Sequence, residues 1–229
     1  MNYLSHYVYN HEILALAPQP YFVMGVALPD LWSRYTRARR IRWKSVQAFH
    51  PADETDRTLR AGLLNHVEVD RRFHCLPAFL RMQRLLKDQL AHAQLRSGLL
   101  DFFAHIGIEL ALDHVLLRRR PGLADRFYDD LARCERGEVQ SRVARLGTVD
   151  TTGLGDVIGA FVTRRFLRWY TQPEGLMEAT RLILSRTSVA VTADGRFLAE
   201  LFERAIPLAD PDAVWRELPG PDPNPTYAG

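Results

Sequence analysis

A strongly apolar segment over residues 99–117 carries ionisable side chains at helical spacing, and it constrains the fold more than any other feature of the chain. His105, Glu109 and Asp113 fall at i, i+4 and i+8, so they share one face of a helix. A second histidine, His114, adjoins this row. Burial of ionisable groups costs free energy unless they are paired or bind a metal. The segment therefore predicts a buried helix beside an internal site, and a divalent metal is its simplest occupant.

A second segment, residues 62–74, repeats the pattern with His66, Asp70 and His74 at i, i+4 and i+8. Two helices that each carry such a row can pack face to face and enclose a metal with nitrogen and oxygen ligands. Such a donor set suits Mn²⁺, Fe²⁺, Zn²⁺ or Mg²⁺, and it contains no thiolate that would favour a softer metal. Taken alone, His66 and Asp70 could instead form a surface i, i+4 pair.

Two further candidates lie upstream. His6 stands in an apolar opening helix, where it is either a core histidine or a ligand. Asp30 follows the apolar run 22–28 and Pro29. An acid at that place either caps the next helix or points into the site.

The chain is predicted to be an all-α, single-domain helical bundle. Its 229 residues, 47% of them hydrophobic, are enough to bury a core. We assign residues 1–218 to one domain and the proline-rich residues 219–229 to a flexible tail. Apolar residues repeat at helical spacing around 58–75, 77–95, 97–119, 122–137, 153–170, 174–187 and 192–206. The short stretch 187–192 resembles a strand and could be a helix junction.

The overall composition favours a cytoplasmic protein. Two cysteines are too few for a disulfide framework, and neither a secretory signal nor an apolar run of membrane-spanning length is apparent. A net charge of +3 with a pI near 9.0 suits an acidic partner.

Several blocks of the sequence resemble the acyl-carrier-protein phosphodiesterase family, a divergent relative of the HD-type metal-dependent phosphohydrolases. The family opens with Met-Asn-Phe-Leu-Ala-His, which residues 1–6 match, and its Gly-Asn-Leu-Leu-Ala-Asp block is matched loosely by residues 25–30. Its Gly-Ile-x-x-His-Arg-x-Ile-Asp block resembles residues 62–70, and its Asp-His pair corresponds to residues 113–114. The segment 168–176 resembles a later helix–turn–helix of the family.

Three positions depart from the family pattern. Val26 replaces an asparagine, Val67 replaces the arginine after the histidine, and His74 stands where the family usually has an aspartate. The loss of the arginine weakens the case for phosphate or carrier-protein contacts. The exchange to His74 could retain a ligand while it changes the metal preference.

The resemblance implies an HD-phosphohydrolase-like fold and hydrolysis of the phosphodiester that joins 4′-phosphopantetheine to a serine of acyl carrier protein. A bound metal, with Mn²⁺ as the leading candidate, would polarise the phosphoryl group and lower the pKa of a water. The expected ligands or immediate neighbours are His6, Asp30, His66, Asp70, Asp113 and His114. All of these except His6 are also catalytic candidates, and His74, His105 and Glu109 are expected to orient them.

A basic stretch follows Asp30 and includes Arg37, Arg39, Arg40 and Arg42. It is either a solvated loop or a cationic rim that attracts an acidic carrier protein. The interleaved aromatic residues would also suit single-stranded nucleic acid, but no RNA-binding motif accompanies them. Two other functions stay open: an HD-type phosphohydrolase for nucleotides or small phosphodiesters, and a non-catalytic helical binding module.

Overall fold

The computed structural model describes residues 1–36, 41–93, 95, 97–185, 194–218 and 220, and of residues 33, 34 and 97 the backbone alone. The described residues are helical and contain no strand, which confirms the all-α prediction. The α-helices are α1 (Tyr3–Val8), α2 (Pro20–Tyr35), α3 (Trp43–Ala48), α4 (Glu54–Phe73), α5 (Pro77–Gln89), α6 (Ser97–Arg119), α7 (Leu123–Ala132), α8 (Arg136–Gly147), α9 (Leu154–Arg164), α10 (Pro173–Leu184), α11 (Gly195–Leu208) and α12 (Pro211–Glu217). Shorter helical turns cover Tyr9–Ile13, Ala91–Ala93 and Phe166–Thr171.

The contacts divide the chain into two compact units. The first unit contains Met1–Ser5, Arg71–Leu123 and Phe166–Pro219. The second unit contains His6–Asp70, Ala124–Arg165 and Gly220–Gly229. The assignment of residues 1–218 to one domain stays a prediction, and the predicted tail lies, except for Gly220, outside the described residues.

The first unit is built around α6, which packs against α5, α10 and α11 and against the turn Phe166–Thr171. A glycine in the middle of α6 lets the neighbouring helices approach closely. A Cβ at Gly107 would lie 3.0 Å from the Cδ1 of Leu201 and 3.2 Å from the Cδ2 of Leu86. Because the core is this tight around α6, the polar residues on that helix are held in fixed positions.

In the second unit, α2 and α4 cross at two glycines. A Cβ at Gly62 would collide with the carbonyl oxygen of Phe22 and lie 3.0 Å from the Cα of Gly25. The reverse holds for a Cβ at Gly25, which would collide with the carbonyl oxygen of Leu59. The two backbones therefore touch, and side chains one turn further along each helix are brought together.

Helix boundaries agree with several of the sequence patterns, but three predicted helices end several residues earlier than expected. The predicted helix 77–95 ends at Gln89. The predicted helix 122–137 ends at Ala132, because Glu135 caps the N-terminus of α8 through the N–H groups of residues 137 and 138. The predicted helix 153–170 ends at Arg164, since Arg165 adopts a left-handed conformation with a φ of 44°. The stretch 187–192 lies outside the described residues.

A search for membrane spans covers the same described residues. None of their helices is both long enough and apolar enough to cross a bilayer.

Candidate metal centres

Two histidines and an aspartate meet in the second unit. His6 lies on α1, and His66 and Asp70 lie one turn apart on α4. One ligand atom of each side chain lies within 4.8 Å of the other two. His6 is fully buried, His66 is 6% exposed, and their rings stack with centroids 4.4 Å apart. His66 and Asp70 on α4 therefore lie beside a third potential ligand, His6. Two imidazoles and a carboxylate together suit a divalent metal ion.

The orientation of His66 is fixed by the backbone of α2. Its Nδ1 lies 2.8 Å from the carbonyl oxygen of Val26. A carbonyl oxygen can only accept, so Nδ1 carries the proton and Nε2 of the neutral ring presents a lone pair. Metal-binding histidines usually have their second nitrogen tied in this way. The arrangement depends on the close crossing of Gly25, which directly precedes Val26, and Gly62, which lies one turn before His66.

Asp30 lies at the edge of this group. It stands inside α2, so the alternative in which it caps the next helix is wrong. Its Oδ1 is 3.9 Å from the Nε2 of His66, and about a third of its side chain is exposed. Asp30 can therefore reach both the histidine and solvent. The sequence alternative in which it points into the site agrees with this placement.

An asparagine pair supports the helices that carry the histidines. The Nδ2 of Asn10 donates to the carbonyl oxygen of His6 at 3.0 Å and to the Oδ1 of Asn65 at 3.0 Å. Asn65 precedes His66 on α4, so one buried amide ties the backbone behind the first histidine to the helix of the second. Sequence analysis did not identify Asn10, although it lies four residues after His6.

Asp113 lies on α6 and binds the beginning of α1. Its Oδ1 accepts from the backbone nitrogen of Ser5 at 2.8 Å and from the Ser5 hydroxyl at 2.7 Å, and its Oδ2 accepts from the nitrogen of Leu4 at 3.2 Å. Burial raises the pKa of Asp113 to about 7, although these three hydrogen bonds act in the opposite direction. Its role as a metal ligand stays a prediction.

His114 is held in the first unit by the segment after α9. Its Nδ1 lies 2.7 Å from the carbonyl oxygen of Tyr170. Burial lowers the pKa of His114, although this hydrogen bond acts in the opposite direction. Neither His114 nor Asp113 belongs to a group of potential ligand atoms among the described residues. The structure therefore gives the Asp-His pair hydrogen-bonded positions, and ligation by His114 also stays a prediction.

A second group of potential ligands lies in the first unit and consists of His74, His105 and Glu109. The Oε1 of Glu109 is 3.0 Å from the Nε2 of His74 and 3.4 Å from the Nε2 of His105. The amino nitrogen of Met1 lies 2.8 Å from the same oxygen. Burial acts to raise the pKa of Glu109, but the Met1 amino group and the hydrogen bonds from both histidines hold it well below its usual range. Glu109 is therefore ionised.

The basic residues selected from the sequence lie largely outside the described part of the chain. Arg37, Arg39 and Arg40 belong to the residues that the structure does not describe. Arg42, just before α3, is exposed, and so is Lys44 within that helix. Their side chains are accessible to an anionic partner.

Comparisons with known proteins leave the family open. No protein-family model, no curated protein and no solved structure matches the chain.

Proposed function

We propose that the protein is a divalent-metal-dependent phosphodiesterase whose centre is the group of His6, His66 and Asp70. The observation that carries this proposal is the convergence of these three ligand atoms within 4.8 Å. Two imidazoles and a carboxylate suit Mn²⁺, Fe²⁺ and Zn²⁺, and Mn²⁺ is the ion we propose. The fold would then be HD-phosphohydrolase-like.

Each residue around the centre has its own role in the proposed hydrolysis. A bound ion would supply a Lewis acid for the phosphoryl group and a water of lowered pKa. His6 and His66 would hold the ion from the buried side, and Asp70 would be the third ligand. Asp30 reaches the exposed edge, where it accepts a proton from the attacking water. Asp113 fixes the start of α1, the helix that carries His6.

The substrate class rests on the sequence resemblance. Residues 1–6, 25–30 and 62–70 resemble the acyl-carrier-protein phosphodiesterase family, so we propose holo-acyl carrier protein as the substrate and the acidic carrier as the partner. Attack of water on the phosphorus would release 4′-phosphopantetheine, with the serine oxygen of the carrier as the leaving group. The exposed Arg42 and Lys44 agree with an acidic partner. Location in the cytosol belongs to the same proposal.

The test is a hydrolysis assay with purified, chelator-treated protein to which Mn²⁺ is returned. Holo-acyl carrier protein is the first substrate, and a panel of nucleotides and small phosphodiesters follows. We expect metal-dependent release of phosphopantetheine. Asp70→Asn should lower kcat/KM at least about a hundredfold, since a bound metal contributes several kcal/mol to the transition state. Asp156→Asn, on an exposed aspartate of α9, is the matched control and should retain activity.

Two outcomes would lead away from the carrier protein. Metal-dependent turnover of nucleotides alone would indicate another HD-type phosphohydrolase. Absence of turnover on every substrate, with no metal bound, would indicate a non-catalytic helical module and would contradict the proposal.

A further inference from the structure

We propose that His74, His105 and Glu109 form a second metal site, specific for Zn²⁺ or a similar transition ion. The ion would link His74, the residue after α4, to His105 and Glu109 on α6. This site lies wholly within the first unit and shares no residue with the phosphodiesterase centre. It therefore stands independently of the proposed function.

The spacing of the ligand atoms fits a tetrahedral ion. With metal–nitrogen and metal–oxygen distances of about 2.0–2.2 Å, the ligands of a tetrahedral Zn²⁺ lie about 3.3–3.6 Å apart. The oxygen of Glu109 is 3.0 Å from the Nε2 of His74 and 3.4 Å from the Nε2 of His105. Small side-chain shifts are enough to place an ion at the centre of the group. Two histidines and one glutamate are a donor set that zinc uses in proteins, with a fourth position left open.

Helix spacing and ring packing hold the three side chains close together. His105 and Glu109 are one turn apart on α6, which fixes their separation. The ring of His105 stands edge-on to Phe79 with centroids 5.3 Å apart, and the ring of His74 lies 4.8 Å from that of His105. Phe79 is buried and thus forms an apolar wall behind both rings.

An ion can reach the group from solvent. The side chains of His74 and His105 are 32% and 35% exposed, and that of Glu109 is 17% exposed. The histidines donate to Glu109 in the present arrangement, and their Nε2 atoms would exchange that proton for the ion.

The ligand types determine which ion the group can bind. One carboxylate faces two imidazoles, and the amino nitrogen of Met1 lies 2.8 Å from the same oxygen of Glu109, so this amino group must leave that oxygen when Zn²⁺ binds. The ion would then be bound by one anionic and two neutral ligands. Imidazole nitrogen favours Zn²⁺ over Mg²⁺ or Ca²⁺, which prefer oxygen ligands. We therefore expect the group to discriminate strongly against the alkaline-earth ions.

The experiment is a Zn²⁺ titration of the full chain by calorimetry, with elemental analysis after dialysis. Four proteins are compared: wild type, His105→Asn, His66→Asn and the double variant. His92→Asn is the matched control, because His92 is an exposed histidine of the same unit that contacts Glu200 at 3.1 Å but belongs to no three-residue group of the described chain.

The proposal predicts that His66→Asn retains one tight Zn²⁺ equivalent and that the double variant loses it. His105→Asn should raise the dissociation constant of that equivalent at least about tenfold, since even loss of a residue that only orients a ligand costs about 10- to 100-fold. Co²⁺ bound to His66→Asn should give the visible absorption of a tetrahedral site, and that absorption should be absent from the double variant. His92→Asn should bind as the wild type does.

A Glu109→Gln variant tests the same site in case a histidine variant misfolds, and circular dichroism checks the fold of the wild type and of all five variants. Unchanged Zn²⁺ affinity in both folded His105→Asn and folded Glu109→Gln would overturn the proposal. So would a folded His66→Asn protein that binds no Zn²⁺. If the wild type shows no phosphodiesterase activity but His66→Asn still binds one Zn²⁺ equivalent, the proposed function is contradicted and the Zn²⁺ site is not.

Discussion

Gly25 and Gly62 bring the backbones of α2 and α4 into contact, and the carbonyl oxygen of Val26 thereby meets the imidazole of His66. A side chain on either glycine would separate the helices. The hydrogen bond that selects the tautomer of His66 thus depends on two residues that carry no functional group. Helix packing and the proposed metal site are therefore linked at this crossing.

The first prediction concerns this crossing. Gly62→Ala should destabilise the protein by about 1–3 kcal/mol, the usual cost of overpacking a tight core. Gly98→Ala is the matched control, because a Cβ there meets nothing within 4 Å. Because Gly98 is the second residue of α6, Gly98→Ala should stabilise the protein by at most the roughly 0.5–1 kcal/mol found for the middle of a helix. Urea unfolding followed by circular dichroism measures both, and equal effects of the two substitutions would contradict the close approach.

A second prediction tests a buried ion cluster in the second unit. Asp56 is fully buried and accepts from Arg142 and from Arg145, the latter at 3.0 Å. Asp56→Ala should cost about 2–3 kcal/mol, because it removes a fully buried carboxylate that accepts from two guanidinium groups, while Arg142 keeps Asp53 and Glu138 as partners. Asp53→Ala should cost less, since Asp53 is half exposed and caps α4 through the N–H of Asp56. A larger loss in Asp53→Ala would contradict this ranking.

Helical periodicity predicted where the ligands would lie, but not how they would group. The row of His66, Asp70 and His74 has one spacing, yet its members divide between two groups in the structure. Spacing along a helix identifies the shared face. It does not identify which neighbouring helix supplies the third ligand, because that depends on long-range packing such as the contact of Gly25 with Gly62.

The helix boundaries carry the same lesson. Pro77 indicates the start of α5 correctly, since the fixed φ and missing N–H of proline suit the first turn. Pro121 indicates a helix start too, but α7 begins two residues later, at Leu123. The sequence patterns did not predict α8, although Val139, Val143 and Leu146 have helical spacing, because charged and polar residues occupy most of its other positions. The residue that ends α9, Arg165, has a left-handed backbone conformation, which an arginine in the sequence does not predict.

A third prediction follows from the burial of Asp113. Its folded pKa of about 7 lies above the value of about 3.9 expected in the unfolded chain. Between these values the native state binds more protons than the unfolded state, so stability falls as the pH rises through this window. From pH 5 to pH 7 the free energy of unfolding should fall by about 2 kcal/mol more in the wild type than in Asp113→Asn. Urea unfolding at several pH values measures this difference, and parallel curves would contradict it.

A fourth prediction concerns the metal of the second unit. In a His105→Asn background, which disables the other group, Mn²⁺ at about a hundred times its dissociation constant should stabilise the fold by about 2.7 kcal/mol. For a chain of this size the melting temperature should rise by about 5–10 °C over the chelator-treated protein. Asp70→Asn in the same background should abolish the rise. Identical melting temperatures with and without Mn²⁺ would contradict the proposal that this group binds a metal.

The last prediction addresses the partner through charge. Arg42 and Lys44 are exposed at the start of α3, and reversing both to glutamate should slow association with an acidic carrier protein. Arg84→Glu with Arg196→Glu makes the same change in net charge at exposed sites of the first unit and serves as the control. Rim charges act mainly on the association rate, and added salt screens them.

For the Arg42→Glu, Lys44→Glu protein, kcat/KM on holo-acyl carrier protein should therefore fall several-fold at low salt and approach the wild-type value at high salt. Turnover of a small phosphodiester should not change, because such a substrate does not extend to the rim. An equal loss on both substrates would place these side chains near the reacting phosphate. An equal loss in the control protein would show that net charge alone, and no local surface, governs the encounter.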